Sequence, residues 1–536
     1  MRAAKATWLQ RLSWMWFATG ALFALWAHVA AALGTFGVIR TLDFDYMLRL
    51  VEVAYAAKGF TPYVDFGFVY PPGQVWLYGK LLRLQDPAAT NAVIDAGNLF
   101  LWTICAWRAM KLSKAMRWWL GGTILLVIGG AMPLVWGAGS YILLEPLPLL
   151  AIALMVVVEG MEHGASKSIL LTLVCVMAAG TMFRWDWPLG FVLLEAGWAA
   201  LMWIAAGFLK SDQASQVRQM AARLGRMALC GLAGAALGFA IIFGYGAATG
   251  VWAEMRLFLF YVPIHILPYR RLPLPIGIGA SRQWLEAVIG IALIVVTATW
   301  DYVKTKAGGA VYFLKGGTLL APCVALIPYA FGRADESHLL PLNVLVILTS
   351  LVAFTVWPNR AGRWILAAAI LLNIEPSLHT GVPKVTADSA KQADIHLERL
   401  HRLTSSCTDL IPSDARSLYV GQASYDRFIV NSPILYLMRL DLQPASPFIS
   451  DEPGIQNTCD FGSRIATDLM RAPRPLVLAL DTKPWRAEPN LTKSMTNCGA
   501  IEAAIAKMPA TAIGSCRVED DYVGADSRTL RVMVVR

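Results

Sequence analysis

The stretch DFDYMLRLVEVAYAAKGFTPYVDFGFVYPPG, residues 43–73, places acidic and basic side chains directly after the first long apolar segment of the chain. Asp45, Arg49 and Glu52 are spaced i, i+4 and i+7, so a helix through this stretch carries all three on one stripe. Gly59 predicts the end of that helix, because glycine readily takes the left-handed conformation of a helix C-cap. The stretch therefore predicts an amphipathic helix beside a membrane, and its spacing alone also fits a solvated loop helix without a catalytic role.

The composition of the whole chain predicts a membrane protein with many spans. Of 536 residues, 57% are hydrophobic and only 15% are charged, whereas a soluble globular protein carries about 25% charged residues. The formal net charge of +10 comes from basic residues that lie mostly between apolar runs, a pattern that sets membrane topology. We therefore expect a lipid bilayer around the chain and no nucleic-acid site.

About eleven apolar runs have the length of membrane-spanning helices. They cover residues 13–38, 91–109, 118–137, 141–159, 168–183, 188–209, 227–249, 283–300, 316–331, 341–357 and 364–379. Residues 70–84 are too short and too charged for a further span, so we predict a helix in the membrane interface there. No convincing cleavage signal follows the first apolar run. We therefore interpret this run as a membrane helix that is retained in the mature protein.

The positive-inside rule assigns each loop to a side of the membrane. It places the N-terminus in the cytoplasm, and residues 40–90 and the region after Gly381 outside it. From Gly381 the apolar runs shorten and polar residues return. The sequence thus predicts a polytopic α-helical membrane domain over 1–380 and an extracytoplasmic α/β domain over 381–536. The strand-like runs of that domain are 417–421, 475–481 and 530–536.

The cysteines agree with this assignment of sides. Four of the eight lie in the predicted C-terminal domain, namely Cys407, Cys459, Cys498 and Cys516. An even number of cysteines in an oxidising compartment predicts two disulfides. The sequence leaves the three pairings open.

The first loop resembles a known family. The run from Asp45 through PYVDF (62–66) to YPPG (70–73) is similar to the first extracytoplasmic loop of the GT-C superfamily of polyprenyl-phosphate-dependent glycosyltransferases. Its members include aminoarabinose, protein O-mannosyl and arabinofuranosyl transferases. In that family an acidic residue follows the first helix, a PY-x-D pattern comes later, and a proline pair opens a juxtamembrane helix. The order of a membrane body and then an extracytoplasmic α/β domain also fits.

The resemblance implies an enzyme of the bacterial inner membrane. It would transfer a sugar from a polyprenyl phosphate to a glycan, lipid or protein acceptor on the extracytoplasmic face, with inversion at the anomeric carbon. Asp45 matches the catalytic acid of the family and would act as general base. Asp43, Glu145 and Asp186 are the candidates for a second acid or a metal ligand.

The resemblance also suggests how the donor phosphate is bound. Two later outer loops, 250–282 and 332–341, carry basic residues that could contact it. They are Arg270, Arg271, Arg333 and His338. The residues expected to support the first loop are Arg49, Glu52, Asp65 and Tyr70.

The sequence leaves open whether the site binds a divalent cation. Asp43 and Asp45 form a D-x-D pair, and carboxylate oxygens are the ligands that Mg²⁺, Mn²⁺ and Ca²⁺ prefer. Not all members of the superfamily need a metal.

Two other function classes stay open at this point. A transporter or flippase of lipid-linked sugars would use similar basic contacts to lipid, although we see no internal repeat typical of many transporters. A non-catalytic envelope-assembly protein would use the C-terminal domain as its interaction module. Retention of sugar transfer in an Asp45→Asn protein would rule out Asp45 as the base.

Overall fold

A computed structural model describes most of the chain. The described residues are 2–33, 44–114, 116–131, 145–270, 275, 278–304, 309–332, 336–357, 360–379, 406–425, 434–451, 454–482, 497–518 and 528–536. The chain divides into two compact units, each built from three segments. Unit 1 comprises Met1–Ala31, Ile94–Ile242 and Pro273–Pro383, and unit 2 comprises Ala32–Val93, Phe243–Leu272 and Lys384–Arg536.

Unit 1 is helical throughout its described parts. Its helices are α1 (Arg2–Leu33), α3 (Pro87–Ala109), α4 (Arg117–Thr123, continued by a π-helix Ile124–Ala131), α5 (Pro146–His163), α6 (Lys167–Phe183), α7 (Asp186–Ala205, with a 3₁₀ turn Ala206–Phe208), α8 (Ser211–Thr249), α11 (Ile278–Lys304), α12 (Gly309–Gly332), α13 (Glu336–Val356) and α14 (Arg360–His379). The start of α3, residues 87–93, and the end of α8, residues 243–249, belong by contacts to unit 2.

Local sequence signals explain the ends of several of these helices. Pro146 is the first residue of α5, where its missing N–H costs no hydrogen bond. Gly164 follows α5 with φ +93°, a conformation that favours glycine. Ser166 then caps α6, since its hydroxyl accepts a hydrogen bond from the Ile169 N–H.

The core of unit 1 lies around α5 and α13. Nearly every residue of α5 is buried, and Leu339 to Ala353 on α13 are buried almost without interruption. A helix that is apolar all round is typical of the centre of a bundle. Gly20 on α1 faces the backbone of Gly122 so closely that a methyl group would clash with it, and such glycine contacts let membrane helices approach each other.

The structure corrects the number of spans. Within the described ranges, seven helices are long and apolar enough to cross a membrane, fewer than the eleven expected from the sequence. They are Gln10–Val29, Pro146–His163, Asp186–Phe208, Ser211–Thr249, Ile278–Trp300, Phe313–Ala330 and His338–Val356. Their composition indicates a lipid bilayer around them.

The four remaining predicted spans fall short for different reasons. The helix at 91–109 carries Asp95, Asn98 and Arg108, which make it more polar than a typical span. The run at 118–137 is described only as far as residue 131. The helices at 168–183 and 364–379 are apolar but shorter, and the first of them has 17 residues, about 25 Å against a hydrocarbon core of about 30 Å.

Unit 2 begins with the helix that the sequence predicted. Helix α2 covers Phe44–Lys58 and ends at Gly59, whose φ of +106° confirms the expected glycine cap. A π-helix, Val75–Leu81, follows the proline pair. With 7 residues it is about 10 Å long and cannot cross a bilayer. The segment after α8 forms α9 (Trp252–Arg256), a π-helix (Leu257–Tyr261) and α10 (Val262–Arg270).

The C-terminal part of unit 2 is a small α/β fold, as predicted. Its elements are β1 (Ser417–Gln422), α15 (Ile434–Met438), β2 (Gln443–Pro444), α16 (Cys459–Arg471), β3 (Leu476–Asp481), α17 (Ala500–Lys507), β4 (Ala510–Val518) and β5 (Arg528–Val535). The strand order is β2-β1-β3-β5-β4. Strand β1 pairs in parallel with β2 and β3, whereas β5 runs antiparallel between β3 and β4. Every residue of β1 and β3 is buried.

Candidate functional site

Several of the predicted site residues lie outside the described part of the chain. Asp43, Arg271 and Arg333 are among them, so their predicted roles stay predictions. Asp45 is the second residue of α2 and Arg270 is the last residue of α10, but their side chains are outside the description as well. The cation expected at Asp43 and Asp45 is likewise untested.

Helix α2 carries a buried pair of opposite charges. The Arg49 Nε lies 3.8 Å from the Glu52 Oε2, and the two side chains are 4% and 7% exposed. The Arg49 guanidinium lies 4.8 Å from the ring centroid of Phe68 and 5.4 Å from that of Tyr70. A guanidinium over aromatic faces gains cation–π attraction, which is larger where water is excluded. Arg49, Glu52 and Tyr70, expected to support the first loop, therefore meet in one cluster.

The PYVDF segment is a tight turn that Asp65 closes. The Asp65 Oδ2 accepts a hydrogen bond of 2.6 Å from the Thr61 N–H, and the Asp65 N–H donates to the Thr61 carbonyl. Tyr63, inside the turn, has φ +71°, an unusual conformation for a residue with a side chain. Asp65 thus shapes the loop.

Tyr63 links this turn to the Arg49 cluster. Its hydroxyl donates to the carbonyl oxygen of Tyr70 at 2.9 Å. The ring is fully buried, and this burial, together with the neighbouring Tyr245 and Glu52, raises the pKa of the Tyr63 hydroxyl well above its usual value. The hydroxyl is therefore neutral at physiological pH and available as a hydrogen-bond donor.

The first loop packs on the C-terminal part of the same unit. Tyr55 on α2 contacts Tyr436 on α15, with ring centroids 6.3 Å apart. The Gly67 N–H donates a hydrogen bond to the carbonyl of Pro447. A side chain at Gly67 would collide with that carbonyl and with the Phe258 ring. Glycine is thus needed there for close approach.

The segment from Trp252 to Arg270 packs on the same C-terminal region. Phe461 on α16 lies 5.9 Å from Tyr261 and 4.9 Å from His265, measured between ring centroids. Phe258 contacts Phe448 at 5.1 Å. Two loops that are far apart in sequence and the C-terminal fold therefore share one aromatic core.

A second arginine cluster lies in unit 1, between α6 and α7. The Arg184 Nε is 3.0 Å from the Asp186 Oδ1, and its Nη2 is 3.1 Å from the Oδ2, so the pairing is two-pronged. The guanidinium lies 4.4 Å from the ring centroid of Trp187 and 4.2 Å from that of Tyr329. Tyr329 stacks on His338 with centroids 4.9 Å apart. Asp186 and His338, two predicted site residues, thus belong to one cluster.

Glu145 directly precedes α5. Its side chain is buried, with the residue 3% exposed. A carboxylate near a helix N-terminus is favoured by the helix dipole. Its predicted role as a second acid stays a prediction.

Within the described ranges, no group of three or more His, Cys, Asp or Glu side chains is arranged to hold a metal ion. The predicted role of Glu145 and Asp186 as metal ligands stays a prediction.

Two of the four cysteines of the C-terminal fold are joined in the structure. Cys407 and Cys516 form a disulfide. Cys459, the first residue of α16, and Cys498, just before α17, are exposed thiols. They lie side by side, and the hydrogen bond between them raises the pKa of the Cys459 thiol. Of the three pairings left open by the sequence, this arrangement favours Cys407 with Cys516 and Cys459 with Cys498.

Sequence reasoning missed the aromatic residues that enclose both arginines. Phe68 lies within the quoted first loop, and Trp187 and Tyr329 lie at the ends of predicted spans. Tryptophan and tyrosine are common at the ends of membrane helices, so their presence alone did not indicate a contact with arginine. It also missed Glu195, a buried acid within the predicted span 188–209.

No family model matches the sequence, and a search of curated proteins finds no match.

Proposed function

We propose that the chain is a membrane glycosyltransferase of the GT-C type, which transfers a sugar from a polyprenyl phosphate to an acceptor hydroxyl or amine. The observation that carries the proposal is the Arg49–Glu52 pair, buried under Phe68 and Tyr70 on the helix that also carries Asp45. Asp45 precedes Arg49 by one helical turn, a spacing that puts both positions on one face of α2. The type of reaction is inferred from the resemblance of the first loop to the GT-C family.

The reaction needs a base and a stabilised leaving group. The Asp45 carboxylate would take the proton of the acceptor hydroxyl, whose oxygen then forms the new bond to the anomeric carbon. The bond from that carbon to the phosphate oxygen breaks, and the electron pair leaves with the polyprenyl phosphate. A transition state of this kind resembles an oxocarbenium ion, and a well-placed base contributes about 10²–10⁴-fold to the rate.

Basic residues would bind the phosphate that leaves. Arg333, Arg270 and Arg271 are the candidates, since a guanidinium binds phosphate oxygens with two parallel hydrogen bonds. His338 would contribute through its stacking on Tyr329. A divalent cation at Asp43 and Asp45 is compatible with this scheme but is not required by it.

The first loop would owe its shape to the C-terminal fold. Its contacts through Tyr55 and Gly67, and the packing of Phe258 on Phe448, support a role for that fold as a scaffold for the loops. The disulfide between Cys407 and Cys516 supports an extracytoplasmic location, because disulfides persist in oxidising compartments. By the positive-inside rule the N-terminus would then be cytoplasmic, and the resemblance to the GT-C family implies the bacterial inner membrane.

The test uses the purified full chain and polyprenyl-phosphate sugars labelled in the sugar. We expect the wild-type protein to release unlabelled polyprenyl phosphate and label an acceptor, and Asp45→Asn to lower the rate by about 10²–10⁴-fold. Asp212→Asn, at the exposed start of α8, is the matched control and should keep the wild-type rate. An Asp45→Asn protein that transfers sugar at the wild-type rate would rule out the proposed base.

A transporter of lipid-linked sugars is the second candidate. One observation favours it, namely that the carboxyl of Glu195 is buried within the candidate span Asp186–Phe208, where ionisable residues often mark transport pathways. Liposomes with a labelled polyprenyl-phosphate sugar in one leaflet distinguish the two. Movement of the intact lipid to the other leaflet without transfer of its sugar would favour the transporter.

A further inference from the structure

The helical segment 252–270 of unit 2 has two apolar faces. One face is buried, and its residues are Met255, Phe258, Leu259 and Val262. The other face is exposed. Tyr261 and Leu267 are each 51% exposed and Ile264 is 72% exposed. Single exposed apolar side chains are normal on a protein surface, but three at helical spacing form a stripe. The outer face of the segment is therefore an apolar surface.

The sequence of the segment is typical of the boundary between membrane and water. Residues 257–269 contain no Asp, Glu, Lys or Arg, and Arg256 and Arg270 flank them. As an α-helix this run is about 20 Å long, too short for a hydrocarbon core of about 30 Å. An apolar run of this length is typical either of a buried core helix or of an interfacial helix. The exposure of Ile264 and Leu267 excludes the core helix.

The neighbours of the segment along the chain point to the same location. It follows directly on α8, which is the candidate span Ser211–Thr249, and the next helix contains the candidate span Ile278–Trp300. Since the segment is too short to cross a bilayer, both of its ends lie at one face of the membrane. Its first residue also folds back onto the end of α8, because the ring of Trp252 lies 4.9 Å from that of Phe243. The exposed stripe therefore starts at the edge of the bilayer.

Helix α16 packs on the same segment through Phe461 but has the opposite kind of outer face. Its exposed residues are Cys459, Asp460, Ser463, Arg464, Thr467, Met470 and Arg471. Met470 is 51% exposed, as much as Tyr261, but it lies among polar and charged side chains. Within one unit, the outer face of α16 is thus typical of contact with water, and that of the segment 252–270 is typical of contact with lipid.

We propose that the segment 252–270 lies in the interface of the membrane and anchors the C-terminal fold there. The occupant of the stripe is the lipid of the bilayer that α8 crosses. Ile264 and Leu267 enter the boundary between headgroups and acyl chains, about 5–10 Å deep. Trp252 and Tyr261 lie at the level of the headgroups, where aromatic side chains are enriched. The exposed Arg256 is attracted to the lipid phosphates.

The buried face of the segment holds the C-terminal fold along its length. Phe258 contacts Phe448 near one end. Near the other end the Tyr269 ring lies against Gly454, where φ is +86° and a side chain would meet the ring. The C-terminal fold is therefore fixed to the segment, and a segment set in the interface fixes the fold to the membrane. This anchor is independent of the reaction that the chain carries out.

The test is photolabelling of the full chain in lipid nanodiscs. Two phospholipids carry a diazirine, one near the headgroup and one at the end of an acyl chain, and peptide mass mapping locates the label. We expect the headgroup probe to label the peptide with Ile264 and Leu267 several-fold more than the chain-end probe does. The chain-end probe should favour the peptide with Val288, which is 40% exposed near the middle of the span Ile278–Trp300. Neither probe should label the matched control peptide with Met470.

The double variant Ile264→Glu/Leu267→Glu tests the stripe itself. Both side chains are exposed, so the substitutions leave the buried face of the segment unchanged, but two carboxylates are costly to bring into an apolar environment. We expect a several-fold loss of label in the segment, while the disulfide between Cys407 and Cys516 is retained as a sign of correct folding. Met470→Glu is the control and should leave the label in the segment as in the wild type.

Several results would overturn the proposal. In the wild-type protein they are the absence of label in the segment, stronger labelling by the chain-end probe, and equal labelling of the peptide with Met470. These measurements do not require a variant to fold. A folded double variant labelled as strongly as the wild type would also contradict it. Cross-links between copies of the chain at Tyr261, in place of lipid label, would assign the stripe to a second copy.

Discussion

Arg49 in unit 2 and Arg184 in unit 1 have similar surroundings but different partners. Among the residues that the structure describes, each guanidinium lies over two aromatic rings and beside an acid. The Glu52 side chain beside Arg49 is 7% exposed, whereas the Asp186 side chain beside Arg184 is 41% exposed. Arg184 and Asp186 form a two-pronged hydrogen-bonded pair, whereas Arg49 and Glu52 are 3.8 Å apart.

The difference shows which acid depends on its arginine. A charge left alone in a buried site is costly, because the site offers no water to replace the lost partner. A half-exposed carboxylate is solvated again when its partner is removed, so the cost is small. Unit 2 should therefore depend on Arg49 far more than unit 1 depends on Arg184.

The largest effect is expected from Arg49→Met. Methionine keeps an apolar stem under Phe68 and Tyr70 but removes the Arg49 charge from beside the buried Glu52 carboxylate, and we expect a loss of about 3–5 kcal/mol in unfolding free energy. Thermal unfolding of the purified protein, followed by tryptophan fluorescence, measures it. The double variant Arg49→Met/Glu52→Leu is the control and should recover most of the loss, because a buried pair can be replaced by apolar groups.

If the Arg49–Glu52 pair serves the reaction, the double variant should regain stability but lose sugar transfer. A double variant that is stable yet transfers no sugar separates a role in function from a role in folding. A double variant no more stable than Arg49→Met would show that the charge of Glu52 is not the source of the instability.

A smaller effect is expected from Arg184→Met. The half-exposed Asp186 gains water in place of its partner, so we expect a loss of about 1 kcal/mol, chiefly from the lost hydrogen bonds and ring contacts. The same unfolding measurement compares the two arginines directly. Equal losses for Arg49→Met and Arg184→Met would contradict the argument from burial.

Asp65→Ala should cost about 1 kcal/mol as well, because the Thr61 N–H loses its acceptor. Asp65→Asn keeps an oxygen that can accept the same hydrogen bond and should cost less. If Asp65→Asn instead stops sugar transfer without changing the unfolding temperature, the charge of Asp65 takes part in the function, and the turn would not be its whole role.

The smallest effect on stability is expected from the second cysteine pair. Cys459 and Cys498 are exposed and adjacent, so mild oxidation of the folded protein should join them without altering the rest of unit 2. Peptide mapping under non-reducing conditions should find Cys459 linked to Cys498 and Cys407 linked to Cys516. Any crossed pairing would contradict the arrangement of α16 and α17.

The sequence predicted the regular elements better than the contacts between them. Helix α2, its glycine cap and the α/β fold were visible as spacing and as short apolar runs. Strand β4 was missed because Ala510–Val518 contains glycine, serine and arginine, and pairing with β5 rather than its own composition makes it a strand. The aromatic partners of Arg49 and Arg184 come from tertiary packing, which periodicity does not encode.

The contact between Gly67 and Pro447 also bears on how the protein is made. The first loop leaves the ribosome several hundred residues before the part of the C-terminal fold that it packs on, so Tyr55 and Gly67 lack their partners Tyr436 and Pro447 for most of synthesis. Contacts of such long sequence separation form late and slowly, and exposed apolar segments of this kind favour aggregation. The maturation of the loop should therefore be sensitive to the supply of chaperones while the chain is being inserted.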